Sequence, residues 1–108
     1  MDRRLSDFQR EILLLCLEKG FISTEFILSS WWGWEPAKWG FKKAVIGESQ
    51  YNAAYASMSR TLDRLWRRGL VTIWKSITGS ATGVTLTSHG QELAEAISEE
   101  ETEDAING

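Results

Sequence analysis

Residues 52–71, NAAYASMSRTLDRLWRRGLV, decide how this chain is read. Ala54, Met58, Leu62 and Leu65 recur at spacings of four, four and three, which sets them along one face of a helix. Ser57, Arg60, Arg64, Arg67 and Arg68 fall largely on the other side. Gly69 supplies the residue type that best tolerates a left-handed C-terminal cap. A helix with an apolar back and a front of serine and arginine is built to lean on a core and face phosphates.

Upstream, residues 6–19 (SDFQREILLLCLEK) predict a first helix with Ser6 as N-cap and Asp7 at the positive end of the dipole. Phe8, Ile12, Leu15 and Cys16 form its core stripe, and Leu13, Leu14 and Leu17 widen it toward burial on two sides. Gly20 stops it. Ser23 or Thr24 starts a short second helix containing Phe26, Ile27 and Leu28. Residues 31–50 fit no regular element, since Gly33, Pro36, Gly40 and Gly47 punctuate them. Four of six tryptophans fall there: Trp31, Trp32, Trp34 and Trp39. Two readings stand for them: a loop whose rings plug the core, or an exposed aromatic surface for a partner. Lys38, Lys42 and Lys43 lie beside these rings, within reach of a polyanion.

Downstream of the central helix, expected near residues 50–68, Val71 and Ile73 alternate with Thr72 and Trp74 as a strand. TGSATG at residues 78–83 is a turn, and Val84 and Leu86 resume the alternation to complete a hairpin. Thr87 or Ser88 caps a last helix with Leu93, Ala96 and Ile97 at helical spacing. Residues 99–108 are acidic and expected to fray as a disordered tail. The fold class is mainly α with a small β-hairpin, in one domain over residues 1–98.

The formal charge of −3 is unevenly spread. From Glu92 onward there are seven acids and no base, so residues 1–91 hold eight acids against twelve bases, a net of +4. Local sign governs contact with a polyanion. The lone Cys16, flanked by leucines, excludes an internal disulfide and reads as a small buried hydrophobe. No secretory signal is visible and the leucine run is too short to span a bilayer, so the expected location is cytoplasmic, with no membrane partner. The sole histidine, His89, is read as a surface residue at a helix start. With no H-E-x-x-H, no phosphate loop and no second histidine or cysteine, no enzyme chemistry, metal or cofactor is expected.

Ser59, Arg60, Leu62, Leu65, Gly69, Leu70 and Val71, followed by Leu86, Thr87, Gly90 and Leu93, carry a resemblance. These patterns, S-R-x-L-x-x-L-x-x-x-G-L-V and L-T-x-x-G-x-x-L, resemble those of MarR/PadR-like winged helix-turn-helix transcription regulators. The likeness covers residues 52–97 well and residues 6–30 loosely. It implies a three-helix core, a wing and a C-terminal helix, and a homodimer binding double-stranded DNA with the central helix in the major groove. The last helix, with the first, is the dimer surface by the same resemblance. The DNA-binding candidates are Asn52, Tyr55, Ser57, Ser59, Arg60, Arg64 and Lys75, with arginine suited to guanine and asparagine to adenine. The mundane counterpart is a solvated face with an Arg60–Asp63 or Asp63–Arg67 pair, Arg67 and Arg68 serving the helix dipole. The wing tip carries no base, and Lys75 is the only cation of the hairpin. The alternatives are a protein-interaction module anchored on Trp31, Trp32, Trp34 and Trp39, and replication or partition work on DNA. No small-molecule effector pocket is legible.

Overall fold

Ser6 and Gln9 open the first helix with a reciprocal capping box: Ser6 Oγ accepts the Gln9 amide at 3.1 Å, and Gln9 Oε1 accepts the Ser6 amide at 2.9 Å. In a computed structural model the described residues are 5–34 and 46–107, with the side chains of the last helix described to Thr102. Helix α1 runs Asp7–Lys19 and ends at Gly20, whose φ of 84° no β-carbon-bearing residue adopts readily. Strand β1 is the two-residue Ile22–Ser23. Ser23 then caps α2, Thr24–Trp32, by accepting the Phe26 amide at 3.0 Å. Helix α3 is Glu48–Arg67, β2 is Val71–Lys75, β3 is Ala81–Leu86, and α4 is Ser88–Asn107. The described residues are thus mainly helical with a small antiparallel sheet, the α+β class expected.

Among the described residues the sheet has three strands in the order β1-β3-β2, one more than the expected hairpin. Ile22 pairs with Val84 and Ser23 with Gly83. Two residues show no periodicity, so β1 exists only because β3 offers it an edge. Ile22, Val84, Ile73, Val71 and Leu86 face inward, while Thr72, Trp74 and Thr85 take the outer face. The connecting turn spans residues 76–80, earlier than the TGSATG reading: Ser76 N–H donates to Ser80 O at 2.8 Å and Gly79 N–H to Ser76 O at 2.9 Å. Ala81 and Gly83 are already paired strand residues.

Ala54, Met58, Leu62 and Leu65 of α3 are all buried, as their spacing predicts. They meet Ile12, Leu13 and Cys16 of α1 and Ile27 and Leu28 of α2. Leu13 is fully buried on the second side that the widened stripe predicts, where α4 packs along α1, and Leu15, expected in the core stripe, is only half-buried. On α4 the buried small residue is Ala94, and Ala96 is exposed. The segment expected to fray continues as helix through Asn107. An established helix adds glutamates at little cost, and glutamate is a good helix former.

The two sequence patterns prove to be halves of one junction. Gly69, at φ 73°, ends α3 with two reversed bonds: its N–H donates to Trp66 O at 2.9 Å and the Leu70 N–H to Leu65 O at 3.0 Å. The Thr87 hydroxyl donates to Gly69 O at 2.6 Å and accepts the Gly90 amide at 3.0 Å, capping α4. The Thr87 N–H donates to Leu70 O at 3.1 Å. Gly90 lies so close to Leu70 that a β-carbon there would overlap the Leu70 carbonyl. The spacing of the leucines, glycines and threonine therefore joins the end of α3 to the start of α4 across the hairpin.

Cys16 is buried, with its Sγ 3.9 Å from Val84 O, and burial pushes its thiol up to about 12. The native chain is expected to resist a thiol reagent at pH 8 and to react once unfolded. Because the folded value lies above the ordinary 9.0, the stability linked to this thiol is complete below pH 9.0 and is lost as pH rises toward about 12. Modification of the native thiol at the unfolded rate would refute the buried placement.

Candidate nucleic-acid interface

Helix α3 is held from behind by its buried stripe, so its outward side is presented on a rigid element. Asn52, Ala56, Ser59, Arg60 and Arg67 are exposed there, and Arg64 and Arg68 are exposed on the flank toward α1. Asp63 pairs with Arg67 at 2.9 Å, the second of the two mundane pairings. That pair joins side chains 73% and 48% exposed, so it contributes only about 0.3–0.5 kcal/mol and restrains Arg67 little. Among the described residues no carboxylate lies within ion-pair range of Arg60, Arg64 or Arg68. The guanidinium side is therefore neither neutralised by the described carboxylates of α4 nor covered by the described part of the tryptophan-rich segment.

The seven candidates divide by position. Tyr55, Ser59 and Lys75 come together with Asp63 and Ser80 in a groove of ≈ 360 Å³ between α3 and the hairpin. Ser57 lies on another flank, in a groove lined by Trp32, Trp34, Gln50 and Ala53. Its carbonyl accepts the Thr61 hydroxyl at 2.9 Å. Arg64 lines a third groove, between α3 and the start of α1. Asn52 and Arg60 stand on the open side between these flanks. The turn joining β2 and β3 holds Ile77 fully exposed, and Lys75 lies just before it.

No family model, curated protein or solved structure matches this chain.

The tryptophans are more structured than the sequence implies. Trp31 and Trp32 form the last turn of α2, which closes at Gly33 in the left-handed region. The helix carries on because Ser23 starts it and no breaker intervenes before Gly33. Phe8 stacks on Trp31 with centroids 4.8 Å apart and meets Trp32 edge-on at 5.3 Å. The series continues from Trp32 to Trp34 at 5.9 Å, to Tyr51 at 6.1 Å and to Tyr55 at 6.2 Å. These rings tie α1, α2 and α3 together, each pair adding about 0.5–1.5 kcal/mol beyond its burial. Burial, then Tyr55, then Glu25 raise the Tyr51 pKa. Trp32 and Trp34 are half-buried in this series, and Trp31 is 42% exposed. Trp39, Lys38, Lys42 and Lys43 lie outside the described residues.

Trp66 and Trp74 are the most exposed described indoles, at 55% and 52%. Replacing both with phenylalanine is expected to move the emission maximum to shorter wavelength and to reduce acrylamide quenching. Unchanged emission and quenching would contradict the half-buried placement of Trp32 and Trp34.

Sequence reasoning missed Gln9, a buried glutamine in the groove beside Arg64 and Arg68. The S-x-x-Q spacing of a capping box was legible at residues 6–9, but its nearness to residues 64–68 was not. His89 is exposed in the first turn of α4. Among the described residues no group of histidine, cysteine or carboxylate side chains is arranged to hold a metal, and no helix is long and apolar enough to cross a membrane.

Proposed function

We propose that this chain is a winged helix-turn-helix protein that binds double-stranded DNA and regulates transcription, with α3 in the major groove and the β2–β3 hairpin as the wing. The observation that carries the reading is the solvent-facing Arg60 and Arg64, without carboxylate partners among the described residues, on a helix fixed from behind by four buried residues. Among the described residues the order of three helices, hairpin and closing helix agrees with it. Asn52, Ser59 and Arg60 read base edges in this scheme, and Arg64 and Lys75 meet phosphates. The wing adds little charge, so most of the electrostatic affinity belongs to α3.

The regulator acts as a cytoplasmic homodimer in this reading, because one winged helix covers half of a two-fold site. Glu92, Glu95 and Glu99 are exposed on α4, so a symmetric pairing along that side sets like charges near each other and gains from salt. Binding to DNA has the opposite salt dependence.

The test is fluorescence anisotropy with duplexes recovered by selection on the purified chain, across a salt series. Affinity is expected to fall steeply and log-linearly with salt. A chain that ignores every duplex at low salt defeats the reading. The protein-interaction alternative draws on Trp31, exposed yet stacked on Phe8. Loss of a protein partner on Trp31→Ala, together with indifference to duplex, would favour it.

A further inference from the structure

The cleft between the start of α1 and the end of α3 is unlike the other grooves in its chemistry. It measures ≈ 480 Å³ and is lined by Ser6, Gln9, Thr61, Arg64, Arg67 and Arg68. Three of these are guanidiniums and none is acidic. Gln9 is only 7% exposed. Its Oε1 is taken by the Ser6 amide, while its Nε2 donates to no group among the described residues. A buried amide with unused protons is costly unless something accepts them. Ser6, at the start of the thirteen-residue α1, lines the cleft beside it, near the positive end of the helix dipole, while the capping box already uses the Ser6 and Gln9 backbone amides. Arginine donors and a buried side-chain amide donor converge on one volume beside a helix start, and both favour an acceptor-rich anion.

We infer that this cleft binds a tetrahedral oxyanion, a phosphate group, held by Arg64, Arg68 and the Gln9 amide. This inference rests on the DNA-binding reading for its source, a backbone phosphate beside the groove that α3 enters. The contact carries no sequence information. It sets the register and tilt of α3 by fixing the helix at its C-terminal end, while Asn52, Ser59 and Arg60 lie toward the other end. It also gives Arg68 and Gln9 roles that composition and spacing do not suggest.

Gln9→Glu is a sharp probe, because glutamate at this position keeps the capping box with Ser6 and replaces the amide donor by a carboxylate. The full-length variant is expected to melt no lower than the parent. Inorganic phosphate titrated into the parent, followed by amide NMR, should shift residues 7–9, and the shifts should vanish in Gln9→Glu and in Arg68→Ala. Both variants should weaken selected and random duplexes alike, by about tenfold, and Arg68→Ala should reduce the slope of log affinity against log salt by about one. Phosphate binding without duplex binding supports the cleft as a site for a free phosphate-bearing ligand and overturns the DNA reading alone. Duplex binding that both variants leave unchanged in strength and slope overturns the cleft and leaves that reading standing. If neither phosphate nor duplex binds, both fall.

Discussion

Gly90→Ala is expected to destabilise the chain by about 3 kcal/mol, although it places a better helix former inside a helix. Propensity alone predicts the opposite sign, a gain of about 1 kcal/mol for alanine over glycine. Packing outweighs it. The added β-carbon would overlap the Leu70 carbonyl, a backbone atom that cannot rotate away. That carbonyl also accepts the Thr87 N–H at 3.1 Å, so separating the two segments weakens a second bond. Overpacking costs about 1–3 kcal/mol and a lost buried hydrogen bond about 1–1.5 kcal/mol. The sum exceeds the propensity gain. In thermal unfolding this reads as a fall of roughly 12–24 °C in a domain of this size. Gly33→Ala is the comparator: its β-carbon meets nothing within 4 Å, and only the positive φ of 74° opposes it, at about 1 kcal/mol. A Gly90→Ala chain as stable as the parent would show that α3 and α4 are not closely joined at Leu70 and Gly90.

The second large effect is on binding. Arg60→Ala with Arg64→Ala is expected to weaken duplex binding by about 100-fold at moderate salt and to flatten the salt slope, while leaving the melting temperature within a few degrees of the parent. Both side chains are exposed and neither has an ion-pair partner among the described residues, so their removal costs the fold little. A bidentate base contact contributes about 1–3 kcal/mol and a phosphate contact shifts the slope by about one. The singles should separate: Arg60→Ala relaxes discrimination between sequences, and Arg64→Ala weakens all duplexes alike. If the double variant binds as tightly as the parent, α3 does not carry the interface.

The legible part of the fold is the part governed by local chemistry. The core face of α3 follows from spacing alone, because side chains three and four apart share a helical face whatever surrounds them. Ser6, Gly20, Ser23, Gly69 and Thr87 bound their helices for similarly local reasons of capping and positive φ. The misplaced parts depend on neighbours. Leu15 is only half-buried, since which leucines of the widened α1 stripe reach the core depends on how α4 packs along it. Trp31 and Trp32 joined α2 instead of a loop, and Phe8 received them.

The candidate interface divides in the same way. The apolar and basic sides of α3 were readable because both lie on one continuous helix. The three grooves around it were not, since each is closed by a segment distant in sequence: the hairpin for Tyr55, Ser59 and Lys75, α2 for Ser57, and α1 for Arg64 and Arg68.

What the residues determined unaided is the bounds of α1 and α3, the starts of α2 and α4 and which side of α3 is apolar, because those properties are written within one or two turns of chain. What tertiary structure alone decided is that Thr87 and Gly90 lock onto Gly69 and Leu70, and that a buried Gln9 amide faces a set of arginines. Both depend on segments 18 or more residues apart meeting in space, and burial against a distant partner leaves no periodic trace in either segment.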